Sequence, residues 1–396
     1  MPNDTYVYQK KELPNYIGYV GIFLLVLGVV LGVVSYIIDP SRTAFSYLTS
    51  YMYLVSIGIG SLFLVALEYA AGAVWSTPFR RIVEFLSAAI PFLIILAVPL
   101  LFNLHDTFLW TNKEVVVNDH VLQGKTAYLN IPFLIIRLAF ILVSWTIFYW
   151  IIIRNSRKQD DTADQNLTTK NIKISIGFIV WFAISISILA VDWMMSVEPH
   201  WFSTIFGVYY FAGTAWCALA ALTLIVVLLK ENGYLVDKIK KDHYYSLGTL
   251  LFAFTCFWGY MAVSQYLLIW YGDLPAETTW FFHRWHGPWT VLSIALIIGH
   301  FIVPFLALLS FPSKTDPKRL KFMSIWILVV HFLDVYWMIM PGMKVESGGY
   351  YFSWSDLVFP IAVVGLIMVI FNSMIKKYNL IPIGDPKLQR GFDFRL

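Results

Sequence analysis

The chain has 396 residues, of which 59% are hydrophobic and only 13% are charged, and its mean hydropathy is +0.70. A water-soluble protein of this length needs a more highly charged surface, so the composition excludes an ordinary soluble enzyme. The net charge of +4 comes from Lys and Arg clusters between apolar runs, which is not the pattern of a nucleic-acid-binding surface. Cys217 and Cys256 lie inside apolar runs, and the absence of CxxC and CxxCH motifs argues against iron–sulfur or c-type haem binding.

Ten apolar runs are long enough to cross the hydrocarbon core of a bilayer, which takes about 20 residues of helix. The first run lacks a small-x-small cleavage site, so we interpret it as a retained helix and not as a signal peptide. The sequence therefore predicts an all-α integral membrane protein with ten transmembrane helices. We place them near 17–38, 47–74, 82–104, 131–153, 172–194, 203–229, 246–270, 287–309, 320–341 and 355–375.

The basic residues predict the orientation of these helices. With the N-terminus inside, 22 of the 28 Lys and Arg residues fall on the inner side, five fall on the outer side, and Arg137 lies within helix four. Cytoplasmic loops of membrane proteins carry an excess of Lys and Arg. We therefore expect both termini in the cytoplasm.

Helix one carries a GxxxG motif formed by Gly28 and Gly32. Two such glycines on one face permit close approach of another helix. That helix belongs either to a partner subunit or to this chain, and the sequence leaves both alternatives open.

Similar segments end helices five and nine, and they begin at Asp192 and Asp334. Each is the third helix of a group of four if helices 3–6 and 7–10 form paired units. We therefore predict two four-helix bundles and two peripheral N-terminal helices. This divides the chain into 1–78, 79–231 and 232–396, the last unit ending in a short cytoplasmic tail.

Ionisable residues inside membrane spans are costly, so each is a functional candidate. Glu68, His300, His331 and Asp334 lie at successive depths between the two sides of the membrane, at roughly 1.5 Å per residue. His331 and Asp334 are three residues apart and share a helical face. The series predicts a proton pathway, because each group can exchange a proton through an intervening water. The alternative is that each is a structural hydrogen-bond partner.

Two further sets of residues have simpler interpretations. Glu84 lies one helical turn from Arg80 and Arg81, and we expect it to be their exposed ion-pair partner. His300 and His331 are the minimum for a bis-histidine b haem, but a two-haem cytochrome b needs four deep histidines. We therefore expect this chain to bind neither haem nor metal.

Carboxylate and histidine side chains cluster at the predicted outer edge of the membrane, beside an aromatic run in 201–211. Carboxylates and imidazoles accept hydroxyl protons, while aromatic side chains hold a ring and a tail, so this edge is a candidate quinol site. The alternative is an interfacial aromatic belt in which Arg137 forms a structural ion pair with Asp192 or Asp356. The quinol-binding candidates are Asp192, Glu198, His200 and His286.

Residues 192–207 read DWMMSVEPHWFSTIFG. This segment resembles the signature of the large membrane subunits of alternative complex III, which are similar to the membrane subunit of polysulfide reductase, the NrfD-like family. The length and the number of spans agree over nearly the whole chain, and the likeness is closest to the F subunit.

The resemblance implies two four-helix bundles with two peripheral helices, in a respiratory quinol:electron-acceptor oxidoreductase of the bacterial inner membrane. In such a complex menaquinol gives electrons to the iron–sulfur B subunit and then to the A and E subunits, which carry c-type haem. A homologous C membrane subunit and a D subunit complete the expected partners, together with lipids. The resemblance implies no redox cofactor in this chain, and menaquinol is the one ligand it would take.

Two other functions remain open on the sequence. The chain could be a structural anchor for extracytoplasmic redox subunits, or less readily a secondary transporter. Matching helices broken by Gly or Pro in the two halves would favour transport. Helix three contains Pro91 and Pro99, but helix seven has no proline, so that signal is absent.

Overall fold

The computed structural model describes residues 12–343 and 352–396, and within these ranges the chain forms helices and no β-strand. Ten of the helices are long and apolar enough to cross a membrane, which confirms the predicted number of spans in a multi-pass, all-α protein. They are α1 (Asn15–Ile38), α2 (Pro40–Ala71), α3 (Thr77–Phe102), α4 (Ile131–Thr162), α5 (Gln165–Val197), α6 (Phe206–Glu231), α7 (Lys241–Gly272), α8 (Trp289–Leu308), α9 (Pro317–Gly342) and α10 (Ser355–Lys377).

Helix α2 begins at Pro40 and not near residue 47, and α5 likewise begins seven residues before its predicted start, at Gln165. The side chain of Asp39 accepts a hydrogen bond from the main-chain N–H of Arg42 at 3.0 Å, which caps the helix. Pro40 suits the first helical position, because its ring fixes a helical φ and its missing N–H would have no helical partner there. Arg42 therefore lies in the first turn of α2 and not in an outer loop.

Helix α2 lies at the centre of the helix packing. It is buried along most of its length and packs against α5, α6, α9 and α10, whereas α1 is mostly exposed. The prediction of two peripheral N-terminal helices is therefore wrong for α2. Small residues allow this placement: a β-carbon on Gly60 would lie 2.7 Å from the carbonyl oxygen of Thr214 on α6.

The glycine face of α1 packs within the chain, against α10. A β-carbon on Gly28 would lie 2.6 Å from that of Ala362, and one on Gly32 would lie 2.6 Å from the ring of Phe359. These contacts settle the two alternatives for the GxxxG motif in favour of intrachain packing. Because residue numbers rise along α1 as they fall along α10, the two helices are antiparallel. The assignment of both termini to the cytoplasm stays a prediction, as does the division into two four-helix units.

The α1–α10 contact predicts that Gly28→Leu destabilises the protein by about 1–3 kcal/mol, because overpacking a close helix contact forces the backbones apart. Gly177→Leu is the matched control, since no described atom outside the local backbone of its own helix lies within 4 Å of a β-carbon there. Thermal unfolding in detergent measures both variants. Equal melting temperatures for the two would contradict the packing described here.

The charge distribution predicts that 154–171 faces the cytoplasm and 105–130 faces the outside. Gln165 and Thr126 are exposed positions in these segments. Single cysteines at these positions, in a background with Cys217 and Cys256 replaced, should react with an impermeant maleimide from opposite sides of sealed vesicles. Labelling of both cysteines from the same side would contradict the predicted orientation of one of the two segments.

Candidate functional site

Three buried ionisable side chains meet between α8 and α9. His300, His331 and Asp334 each offer a ligand atom, and these atoms lie within 4.8 Å of one another. Nδ1 of His300 is 3.8 Å from Oδ2 of Asp334, and the two imidazole centroids are 6.2 Å apart. All three side chains are fully buried. We call this group the central cluster.

A local change in helix geometry presents His300. Residues Ile297–Ile302 form a π-helical turn within α8, and Pro304 follows it. Pro304 has no N–H to donate, and the carbonyl of Gly299 accepts a hydrogen bond from the Trp326 indole at 2.7 Å. Short π-helical turns commonly occur at functional sites, where they displace one side chain from the regular helical positions.

A glycine on α6, Gly213, leaves room for the side chain of His331. A β-carbon on Gly213 would lie 2.7 Å from Cε1 and 2.8 Å from Nδ1 of that histidine. The imidazole therefore occupies space that any other residue at position 213 would fill. On its other edge, Nε2 of His331 is 3.1 Å from the hydroxyl of Ser56 on α2.

Asp334 is held by neutral donors. The hydroxyl of Tyr209 donates to one carboxylate oxygen, and the Trp258 indole donates to the other at 3.1 Å. Within 12–343 and 352–396, no Lys or Arg lies within ion-pair distance of Asp334. A buried carboxylate without a cation is costly when charged. Its charge therefore depends on the hydrogen-bond donors and on His300.

Hydrogen bonds extend from the central cluster towards α2 and α6. The Ser56 hydroxyl lies 3.2 Å from both the Tyr210 hydroxyl and the Thr214 hydroxyl. The His300 ring instead packs between Trp258, at a centroid distance of 3.9 Å, and Trp216, at 4.6 Å. Neither ring nitrogen of His300 has a hydrogen-bond partner among the described residues. Such a nitrogen can take up or release a proton without breaking an existing bond.

Glu68 lies apart from the central cluster. It accepts hydrogen bonds from Arg80 and Thr77, both at 3.1 Å. It is twelve residues from Ser56 on α2, a separation of about 18 Å along the helix axis. Of the four predicted proton-pathway residues, the structure thus brings three together and places the fourth in a separate group.

The group around Glu68 corrects the expectation for Glu84. This residue is buried and not exposed, although it does pair with both Arg80, at 3.3 Å, and Arg81. Arg81 also pairs with Asp160 at 2.6 Å, near the end of α4. The adjacent residues Arg80 and Arg81 were the sequence feature that could have indicated a buried ion-pair network here, because buried guanidinium groups need several carboxylates around them.

Asp192 forms a two-point ion pair with Arg137, with distances of 2.7 and 2.9 Å. This confirms one of the two pairings considered for Arg137. The other is wrong: Asp356 pairs at 2.7 Å with Arg42, a residue that the sequence pattern placed in a loop. The hydroxyl of Tyr336 also donates to Asp356 at 2.9 Å.

Glu198 pairs with two basic side chains of the short helix Pro275–Arg284. Arg284 lies 2.8 Å away and is fully buried, and His283 lies 3.3 Å away and is exposed. Burial acts to raise the pKa of Glu198, but the charge of Arg284 and the hydrogen bond to His283 outweigh it and hold the pKa below its usual value. The same hydrogen bond raises the pKa of His283. The sequence pattern did not reveal Arg284 as a structural residue, because it resembles an ordinary loop charge.

The remaining two quinol-binding candidates are exposed. Nε2 of His200 is 2.5 Å from a carboxylate oxygen of Asp119, whose side chain also caps the helix His120–Lys125. Nδ1 of His286 lies 2.6 Å from the carbonyl of Phe282. Each of the four candidates therefore has a separate partner, and both carboxylates already face a guanidinium group.

The central cluster is also the one described group with the composition of a metal site. Nitrogen and oxygen ligands of zinc lie about 2.0–2.2 Å from the metal, which puts ligand atoms roughly 3.3 Å apart in a tetrahedron. His300, His331 and Asp334 would have to move together to reach that spacing. The expectation of no metal in this chain stays a prediction.

Comparison of the sequence with models of protein families and with curated proteins finds no match.

The contact between Glu198 and His283 predicts a pH-dependent contribution to stability. A raised histidine pKa means that the contribution is complete below the ordinary pKa of 6.5 and is lost as the pH rises through the folded value. A lowered carboxylate pKa means that it is complete above 4.5 and is lost as the pH falls. The pair therefore stabilises most between these two values.

We expect His283→Asn to lower the free energy of unfolding more at about pH 5.5 than at about pH 8.5, by less than about 1 kcal/mol because the ring is exposed. The melting temperatures at the two pH values measure this difference. His286→Asn is the control, since that ring lies against the main-chain carbonyl of Phe282 and, among the described residues, forms no ion pair with a carboxylate. The same loss at both pH values would show that the pair is not ionic.

Proposed function

We propose that this chain is the proton-transferring membrane subunit of a respiratory quinol oxidoreductase of the alternative complex III type. The observation that carries the proton role is the central cluster, in which Asp334, His300 and His331 meet without a Lys or Arg partner among the described residues. Groups of this kind can change protonation state at low cost to the surrounding structure, because no ion pair has to break.

In this proposal the proton route runs along the hydrogen bonds of the central cluster. On one side, Asp334 contacts Tyr209 and Trp258; on the other, His331 contacts Ser56, which leads to Tyr210. Water molecules must bridge the stretch between Ser56 and Glu68, because the α2 side chains between them are mostly apolar. In this proposal the group around Glu68 is the inner end of the pathway.

The wider assignment rests on the resemblance of residues 192–207. It proposes a bacterial inner-membrane location, an iron–sulfur partner, c-type haem partners and a homologous membrane protein beside this one, with electrons supplied by menaquinol. This chain would itself hold no redox cofactor. In this assignment the ion pairs of Asp192 and Glu198 have structural roles at the outer face.

A structural anchor is the second candidate. The ordered outer segments that include His120–Lys125 and Pro275–Arg284 favour it, because they offer folded, charged surfaces to an extracytoplasmic partner. An anchor requires no titratable group at the position of Asp334. The two candidates therefore differ in what happens when that group is made neutral.

Asp334→Asn keeps nearly the same shape but has no carboxyl proton to exchange. Its amide oxygen can still accept from the Trp258 indole, while its NH₂ group would donate to the Tyr209 hydroxyl, which reverses that hydrogen bond. In sealed vesicles that contain the intact complex, we expect the proton-to-electron ratio to fall by about half or more, while quinol oxidation continues when the membrane is uncoupled. Asp334→Glu is the matched control and should retain most of the translocation, because it remains titratable. A parental ratio in Asp334→Asn would exclude the relay and favour the anchor.

A further inference from the structure

A cavity of about 400 Å³ lies between α7, α8 and α9 and the short helix Pro275–Arg284. Its wall includes Val263 on α7 and Ile297 on α8, two apolar side chains that are about half exposed, at 56% and 48%. Exposed apolar side chains on membrane-spanning helices face lipid. The cavity therefore opens sideways into the bilayer, and we call it the lateral cavity.

The inner wall of the lateral cavity is aromatic. Tyr209, Trp258, Tyr266, Phe281 and Trp337 line it. Aromatic side chains bind flat rings through their faces and edges, and they also tolerate an attached hydrocarbon tail. The cavity thus suits a planar ring that arrives from the lipid phase.

One polar side chain in this wall is incompletely bonded. Gln265 is buried, with a relative exposure of 3%. Its side chain makes one hydrogen bond to a described residue: the Ser203 hydroxyl donates to Oε1 at 3.3 Å. An amide has donors on one end and an acceptor on the other, and rotation by half a turn exchanges the two ends. In either orientation, one end of Gln265 remains for a ligand in the cavity.

This chemistry selects among lipid-soluble ligands. A buried amide without a partner costs about 1–3 kcal/mol, which a ligand carrying a hydrogen-bonding ring oxygen would recover. The NH₂ end can donate to a ring carbonyl, and the flipped amide can accept from a ring hydroxyl. A ring that alternates between these two forms satisfies Gln265 in both, whereas an acyl chain satisfies it in neither.

We propose that the lateral cavity binds the headgroup of an isoprenoid quinone or quinol, with Gln265 as the hydrogen-bonding residue and the tail leaving between α7 and α8. This rests on the proposed function for the identity of the quinone. In this proposal the lateral cavity, and not the outer edge at Asp192 and Glu198, is the quinone-binding site. The bound ring lies against Tyr209 and Trp258, the two residues that donate hydrogen bonds to Asp334.

Equilibrium binding of a radiolabelled menaquinone with a short isoprenoid tail tests the proposal, using the full chain in nanodiscs and subtracting partition into empty nanodiscs. We expect saturable binding by the parent, about tenfold weaker binding by Gln265→Leu, and none by Ala262→Phe, which fills the cavity. Ser203→Ala removes the one described hydrogen bond of the Gln265 side chain but leaves its amide, so it should weaken binding less than Gln265→Leu does.

Val33→Phe is the control for cavity filling. It places the same ring in a second cavity of about 380 Å³ beside α1, where Tyr47 and Tyr51 already donate to main-chain carbonyls. This variant should bind the probe as the parent does. The elution volume in size-exclusion chromatography and the melting temperature of each variant verify that it is folded.

Absence of saturable binding by the parent, or equal affinity of the parent, Gln265→Leu and Ala262→Phe, overturns the proposal. A tightly bound phospholipid that the quinone does not displace also overturns it. The binding measurement needs no proton transfer, so its failure leaves the role of Asp334 standing. Conversely, a normal proton-to-electron ratio in Asp334→Asn leaves quinone binding in the lateral cavity standing.

Discussion

Charge is expensive in the interior of a membrane protein, and this cost organises the structure. Near both ends of the bundle, carboxylates that are buried or partly buried face guanidinium groups: Asp192 faces Arg137, Glu198 faces Arg284, and Glu68 faces Arg80. Each pair is stable because hydrogen bonds satisfy the guanidinium group from several sides. Arg284, for example, donates to the main-chain carbonyls of Trp337 and Met338 at the end of α9.

The middle of the bundle is built differently. There Asp334 is balanced by a phenol, an indole and a nearby imidazole, with no guanidinium group among the described residues. A guanidinium stabilises the ionised form of a carboxylate, whereas neutral donors and an imidazole allow either protonation state. This contrast supports the proposal that proton transfer centres on Asp334, His300 and His331, and that the ion pairs of Asp192 and Glu198 are structural.

Close packing of small residues brings the central cluster together. Gly213 on α6 admits His331, and Gly60 on α2 allows α2 and α6 to approach closely enough for Ser56 to reach that histidine. The same helices surround the cluster with aromatic rings, and beyond Trp258 the packing leaves the lateral cavity. A polar site and a lipid-accessible cavity are therefore separated by a single layer of side chains.

Several features followed from the sequence alone. The ten spans could be predicted because the length of an apolar run is set directly by the thickness of the bilayer. His331 and Asp334 could be placed on one face because three residues make nearly one helical turn. The pairing of Arg137 with Asp192 was one of two alternatives, because a buried arginine requires a carboxylate and few were available at that depth.

Tertiary structure decided which helices are neighbours. Periodicity describes one helix at a time, so it could not show that α2 is central, that His300 meets Asp334, or that Glu84 is buried. Nor could it pair Arg42 with Asp356, which are more than three hundred residues apart in the chain. The opening beside Gln265 likewise exists only between packed helices. Such contacts depend on the shapes of several helices at once, and no local pattern in the sequence carries that information.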